Sequence, residues 1–286
     1  MSKRIALCFS GQPRTWEKCY TQWMHFSNAI SALHDAKVDV FCHAWDFNTP
    51  PNAVSWQIFN KIGKQINFDG IKISEEEKEK FIKLMNPVSY VFEDESVSLG
   101  RSKSVTELNE QYIDYYGRPV ASWIASQFYG IMYSAYLKKK YELANKFKYD
   151  MVVRMRYDLY MSDPYVNNMI FSLPEYNIAK AVHTGKTEDF PFHRMGDIFW
   201  YSDSITYDRI SEFYRWLPLL GSKSFPKSSK NPNPLIESVL YFYIKMLKIN
   251  VYNIDNMDPK IYRMENTLDI KKQYDINLDN EPYELI

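Results

Sequence analysis

The stretch Tyr149-Asp150-Met151-Val152-Val153-Arg154-Met155-Arg156-Tyr157-Asp158-Leu159-Tyr160 decides how this chain reads. It opens on an apolar run, Met151 to Val153, that suits a buried strand. Arg154, Arg156 and Asp158 follow at alternate positions. Side chains alternate between faces along a strand, so all three ionic groups are predicted to project the same way. A buried strand carries three charges on one face only where they meet a ligand, a metal or each other. The segment therefore reads as an interior strand running out of a core into a site.

The residues on either side support an interior position. Arg118-Pro119 starts a long helical pattern that runs to about Lys148. Val120, Ile124, Phe128, Ile131 and Ala135 form its apolar stripe. Gly130 in its middle suits a close approach to another backbone, or is simply a tolerated glycine. Lys138, Lys139, Lys140, Lys146 and Lys148 suit its C-terminal end and read as a solvated face.

Toward the N-terminus, Arg4 to Phe9 reads as a buried first strand and Ser10-Gly11-Gln12-Pro13-Arg14 as the turn leaving it. Pro13 fits a first helical turn, where its missing N–H costs nothing. Trp16, Tyr20, Trp23 and Phe26 then mark a helix to about Ala32. Lys37 to Trp45 is the second strand, which completes a βαβ unit. Asn52 to Gly63 is expected to be a short helix. Ser74-Glu75-Glu76-Glu77 is a capping box opening another helix, which ends by Asn86-Pro87. Ser89 to Phe92 is a short strand, and Glu93 to Ser104 a mobile loop.

In the second half, strands are expected at Asn177 to Ala181, Asp197 to Ser202 and Asn250 to Ile254. Thr184 to Arg194 reads as a loop over a site. Helices are expected at Ser204 to Leu220 and Leu235 to Leu247. Alternating strands and helices give an α/β sandwich with a partly parallel sheet. Ligands in such sheets sit outside the carboxyl ends of the strands. Three exits are loaded with polar groups: Ser10 to Arg14, His43 to Asp46, and Arg156 to Asp158.

Composition narrows the function classes. The 286 residues suffice for one large α/β domain or two small ones. Lys plus Arg and Asp plus Glu balance at 35 each, which argues against a generic nucleic-acid or anionic-membrane binder. Cys8, Cys19 and Cys42 are scattered and odd in number, as expected in a reducing compartment. The run after Ser2-Lys3-Arg4 stops too early for a signal peptide, and nothing approaches a membrane span. A soluble, cytoplasmic protein is expected. Aromatic residues make up 16%, with 23 tyrosines. Such rings serve either a sugar-binding surface or a core.

The chain lacks Gly-x-Gly-x-x-Gly, a phosphate loop ending in Gly-Lys-Ser/Thr, His-Glu-x-x-His, paired Cys-x-x-Cys and Gly-x-Ser-x-Gly. Arginine-bearing and acid-bearing strand ends remain. Arg156 offers a fork for phosphate, and Asp158 a hard oxygen ligand for Mg²⁺ or Mn²⁺; an internal Arg–Asp ion pair is the alternative. Arg14 suits an anion beside a helix N-terminus, or plain solvent. His43 reads as a hydrogen-bonded histidine near a core edge in preference to a metal ligand beside Asp46. Asp197 follows Met195-Gly196 and suits a base or hydroxyl-binding role, or is a turn aspartate. Glu237 near a helix start is a base, a sugar-hydroxyl acceptor or a dipole-compensating acid.

The ordered set Ala6 to Arg14, Asp39 to Trp45, Ser126-Gln127, Tyr149-Asp150 with Arg154 to Leu159, and Gly196-Asp197 resembles glycosyltransferases of the GT-A fold. It is most similar to bacterial and phage polysaccharide transferases grouped around the WavE lipopolysaccharide proteins. The resemblance implies one GT-A-like domain over residues 1–254, with a Rossmann-like, mixed, largely parallel sheet sandwiched by helices. A nucleotide-sugar half would span about 1–160 and an acceptor half about 161–254, with 255–286 a surface-wrapping tail.

It also implies a nucleotide-sugar donor bound through Ser10, Gly11, Gln12, Arg14, His43, Gln127, Arg156 and Asp158. The acceptor would be a glycan or lipid-linked, in surface polysaccharide or glycan synthesis; for an inverting enzyme Asp197 and then Glu237 are the candidate catalytic bases, and a retaining one needs no base in that place. Arg156 to Asp158 stands where these enzymes keep Asp-x-Asp for a metal-bound diphosphate, but the first acid is Arg156. Either Asp158 alone holds a divalent cation, Mn²⁺ or Mg²⁺, or Arg156 replaces some of its charge. Two other readings stay open: a sugar nucleotidyltransferase, for which Ser10 to Arg14 is short, and a non-catalytic carbohydrate-binding or assembly protein on the same fold.

Overall fold

The computed structural model describes residues 3–48, 71–94, 121–160, 181–184, 187–188, 194–195, 198–220, 236–253 and 260–261. The expected helix at Asn52 to Gly63 lies outside them, as does most of the tail. The first half reads β1 (Lys3–Gly11), α1 (Trp16–His34), β2 (Ala36–Trp45), β3 (Phe47–Asn48), β4 (Ile71–Lys72), α2 (Glu75–Met85), β5 (Ser89–Glu93) and α3 (Ala121–Asn145). Then come β6 (Met151–Met155), β7 (Leu159–Tyr160), β8 (Ala181–Thr184), β9 (Thr187–Glu188), β10 (Arg194–Met195) and β11 (Trp200–Ser202). The last elements are α4 (Ser204–Ser211), α5 (Phe213–Leu220), α6 (Ile236–Met246), β12 (Asn250–Asn253) and β13 (Lys260–Ile261).

A seven-stranded sheet runs β12-β8-β11-β6-β1-β2-β5. The pairs β5·β2, β2·β1, β1·β6 and β8·β12 are parallel, and β11 lies antiparallel between β6 and β8. The protein is thus mixed α/β, with a mostly parallel sheet flanked by helices, as the sequence predicts. Chain order builds outward from β1 on one side through β2 and β5, then jumps to the other side at β6. That reversal leaves a crevice outside the ends of β1 and β6, the switch point where open α/β sheets take ligands.

Strand alternation sorts the interior into two layers. Ala6, Cys8, Phe41, Val152 and Trp200 pack toward α3, α4, α5 and α6. Ile5, Leu7, Phe9, Cys42, Met151, Val153 and Tyr201 pack toward α1 and α2. A strand covered on both faces must be apolar throughout, which is why β1 reads as an unbroken hydrophobic run. Among the described tyrosines, Tyr149, Tyr157, Tyr201, Tyr207 and Tyr243 are buried in these layers, and others such as Tyr90 and Tyr136 are exposed.

Local chemistry sets the helix ends. Ser74 and Glu77 form the expected capping box, with the Ser74 hydroxyl accepting from the Glu77 amide at 3.2 Å. The Asp203 carboxylate accepts from the amides of Ile205 and Thr206 at the start of α4. The single helix predicted over Ser204 to Leu220 is instead two, α4 and α5. The Ser211 hydroxyl bonds back to the Tyr207 carbonyl at 2.8 Å just before the break, a contact that bends helices. Far along the chain, β13 pairs with β7, so the tail returns to the strand that follows Asp158.

Lys138 was expected on a solvated face and is fully buried. Its ammonium lies 3.2 Å from Glu142 and 2.8 Å from Asp208, and it donates to Ser204. Glu142 also accepts from the Tyr149 amide and from Lys148. Burial would raise the Glu142 carboxyl, but Lys138 and these donors together hold it below its usual range. The cluster ties α3 to the start of α4 and to the entry of β6. Lys138→Met should leave buried Glu142 and half-buried Asp208 short of their shared cation and destabilise the fold by about 3 kcal/mol or more. Urea unfolding of the variant against the wild type measures this.

Candidate functional site

β1 and β6 are parallel neighbours, so their exits lie side by side. β6 ends at Met155, one residue before Arg156. The chain then turns, with the Leu159 amide reaching the Arg156 carbonyl at 3.4 Å. Arg154, Arg156 and Asp158 therefore do not share one strand face. Arg154 is buried within the sheet, its guanidinium 5.6 Å over the Trp200 ring. Arg156 and Asp158 sit on the turn, where residues two apart face each other.

Arg156 grips Asp158 through both arms of its fork: Nε to Oδ1 at 2.8 Å and Nη2 to Oδ2 at 2.9 Å. Arg14, from the exit of β1, adds Nη1 to Oδ2 at 3.2 Å. The Asp158 side chain is 2% exposed, against 27% for Arg14 and 17% for Arg156. The carboxylate is thus beneath, and the two cations keep outward faces. Aromatic residues steady the turn from below. Trp23 Nε1 donates to the Leu159 carbonyl at 2.9 Å, and the Tyr157 hydroxyl to the His43 carbonyl at 3.1 Å. The Tyr157 ring stacks on Phe9 at 5.5 Å.

Arg14 is held as deliberately as Asp158. Its φ is 45°, in the left-handed region that costs a non-glycine residue. Asn48 Oδ1 accepts from its amide at 2.6 Å, and Gln12 Oε1 from its Nε at 2.7 Å. Gly11 just before it has φ 126°, and a Cβ there would meet nothing within 4 Å. Pro13 is not the first helical residue; its carbonyl accepts from the Trp16 amide as α1 begins. A hollow of about 250 Å³ opens alongside, lined by Arg14, Asn48, Trp16, Lys18, Phe81 and Phe92 among others. Asn48, on the short strand after Asp46, went unnoticed in the sequence because nothing local links it to Arg14.

The other predicted site residues are placed differently. Ser10 and His43 are register partners on β1 and β2, and both are buried. His43 Nε2 lies 3.0 Å from Glu93 Oε2, and the ring is packed by Trp45, Tyr129 and Tyr133. Glu93 also accepts from the Tyr129 hydroxyl at 3.3 Å. His43 is the hydrogen-bonded core histidine of the plainer reading, and it can serve a ligand only by positioning. Gln127 is half-buried on α3, three residues before Gly130. Glu237 stands in the first turn of α6, but its side chain is outside what the structure describes, and Asp197 lies outside the described residues.

Asp158 does not suit a divalent cation. Both of its oxygens already accept from guanidinium, and two positive groups flank one negative group. Among the described residues no three His, Cys, Asp or Glu side chains form a group that could hold a metal ion. The thiols are equally unsuited: Cys8, Cys19 and Cys42 are buried, and burial pushes Cys8 and Cys19 up to about 12.

Two outcomes follow at His43. A Cβ on Gly130 would sit 2.9 Å from His43 Nδ1, so the approach is to a wedged imidazole, not to backbone. Gly130→Ala should lower the melting temperature even though alanine is favoured by about 1 kcal/mol in a helix. Burial lowers the His43 pKa from 6.5, against the opposing pull of Glu93. The unfolded chain therefore binds a proton that the folded chain refuses. Stability contributed by neutral His43 is full above pH 6.5 and is lost as pH falls below it. Melting curves of wild type and His43→Gln should differ most at neutral pH and converge as the buffer is made acidic.

No protein-family model and no curated protein matches the chain. Among solved structures, the apo form of mouse xyloside xylosyltransferase 1 is similar over 88% of this chain and 84% of that one, at 10% identity and a TM-score of 0.36. A likeness of that size decides nothing about activity. No helix among the described residues is long and apolar enough to cross a membrane.

Proposed function

We propose that this protein is a glycosyltransferase that takes a sugar from a nucleoside-diphosphate sugar and passes it to a hydroxyl of a glycan or lipid-linked acceptor. The observation that carries the reading is the meeting of Arg14 and Arg156 on Asp158, at the sheet's switch point and beside an open hollow. The order of motifs resembling GT-A enzymes of the WavE-like kind supports it, and surface polysaccharide or glycan synthesis is the setting that resemblance suggests.

The acceptor hydroxyl would attack the anomeric carbon as the bond from that carbon to the diphosphate oxygen breaks. Charge then grows on the departing diphosphate, and fixed guanidiniums aimed at it stabilise the transition state. Guanidinium suits this work because it stays charged and can bind two oxygens at once. In an inverting reaction the hydroxyl proton passes to a carboxylate, for which Asp197 is the first candidate and Glu237 the second. A retaining reaction needs no base at that position.

That both Asp158 oxygens accept from arginine favours a second reading, a carbohydrate-binding protein on the same fold without turnover. A panel of nucleotide sugars scored by thermal shift, followed by assays of transfer and hydrolysis, separates the two. At least one donor should raise the melting temperature and be turned over, and Asp158→Asn should abolish turnover. Binding without transfer or hydrolysis would favour the second reading. Turnover untouched in Asp158→Asn would remove this residue from the mechanism.

A further inference from the structure

We infer that Asp158 anchors a two-arginine clamp that binds the donor's diphosphate directly, with no divalent cation between. This rests on the transferase reading and changes what its acid does. In an Asp-x-Asp site the carboxylate faces the ligand through a metal. Here the carboxylate is the most deeply placed member of the group, and the guanidiniums of Arg14 and Arg156 are the parts that reach solvent. Both Asp158 oxygens accept from guanidinium: 2.8 and 2.9 Å from Arg156 and 3.2 Å from Arg14. A divalent ion on Asp158 would have to displace these hydrogen bonds and sit against two like charges. A diphosphate has the opposite requirement, since its oxygens are acceptors and its charge matches the net positive charge of two cations and one anion.

The construction at Arg14 points the same way. Of the described non-glycine residues with positive φ, Asp35 and Asn86 are the C-caps of α1 and α2, and Lys146 and Lys248 follow the ends of α3 and α6. Those are positions where a left-handed residue closes a helix. Arg14 has no helix to close; it precedes α1. Its strain is sustained by Asn48 on the backbone amide and Gln12 on the side chain. What the strained conformation achieves is the delivery of a second guanidinium to Asp158 across 144 residues of sequence. Arg14 lines the hollow together with Lys18, Glu17 and Glu77, and Trp16 and Phe81 stand in its wall to meet an apolar or ring-bearing part of the ligand.

Isothermal titration with UDP, GDP and CDP, first in excess EDTA and then in Mn²⁺, tests the clamp. At least one nucleoside diphosphate should bind in EDTA with a Kd within about threefold of its value in Mn²⁺. Arg14→Gly removes the cation while suiting the backbone. It should stay folded, since Arg156 still holds both Asp158 oxygens, and weaken that binding by about tenfold or more in both conditions. Arg156→Lys, which retains charge but not the fork, should weaken it similarly, so the test survives if either variant folds poorly.

A gain of more than about tenfold on adding Mn²⁺ would overturn the inference and leave the transferase reading standing. Loss of that gain in Asp158→Asn would then identify Asp158 as a metal ligand. Unchanged affinity in a folded Arg14→Gly also overturns it. Absence of binding by all three nucleotides in both conditions would overturn the clamp and the transferase reading together.

Discussion

A carboxylate that is 2% exposed must be paired or it will not stay ionised, and at Asp158 the pairing ties two central strands together at their exits. One partner, Arg156, is local and forked; the other, Arg14, arrives from the end of the neighbouring strand. Removing both arginines would leave the Asp158 charge buried without them, the costly way to break an ion pair. The rest of the crevice follows from this constraint. The turn after β6 can be tight because Asp158 folds back on Arg156, and the loop after β1 can hold a left-handed arginine because Asp158 receives it.

Two further polar groupings set α3 over the sheet. At one end Lys138, Glu142, Ser204 and Asp208 join it to α4. At the other, Gly130 lets it close on His43, which Glu93 holds from β5. Between these points the contact is apolar and could slide, since buried hydrocarbon fits many neighbours nearly as well. Directional groups at both ends remove that freedom. The ends of β1, β2 and β5 are then covered on the α3 side, and the opening is left toward α1 and α2, where Arg14 and Asn48 line the hollow.

Charge placement gives the crevice its chemical character. The chain as a whole is balanced, with equal numbers of acids and bases, so the anion preference we propose has to be local. At the crevice one acid lies beneath two bases, each of which keeps an outward face. The same residue types with Asp158 outward and the arginines beneath would select a cation. Orientation, not composition, decides which.

The sequence by itself determined the elements whose signals are local. Apolar runs mark β1 and β6, an apolar-rich stretch broken by Lys37, Asp39 and His43 marks β2, helical spacing marks α1 and α3, and Ser74 with Glu77 announces α2, because a few neighbouring side chains suffice for each. It also singled out Arg14, Arg156 and Asp158, leaving open for the last two a ligand site or an internal ion pair, and the ion pair is what the structure shows. Only the tertiary structure decided how they meet. Extending strand alternation past Met155 put Arg154 with Arg156 and Asp158, whereas the turn separates them, and turn onset depends on packing against Trp23 and Tyr157. The antiparallel insertion of β11, the burial of Lys138, and the reach of Asn48 and Asp158 to Arg14 all join residues distant in the chain. Period and propensity act over a few residues; a contact across 144 residues leaves no trace in either.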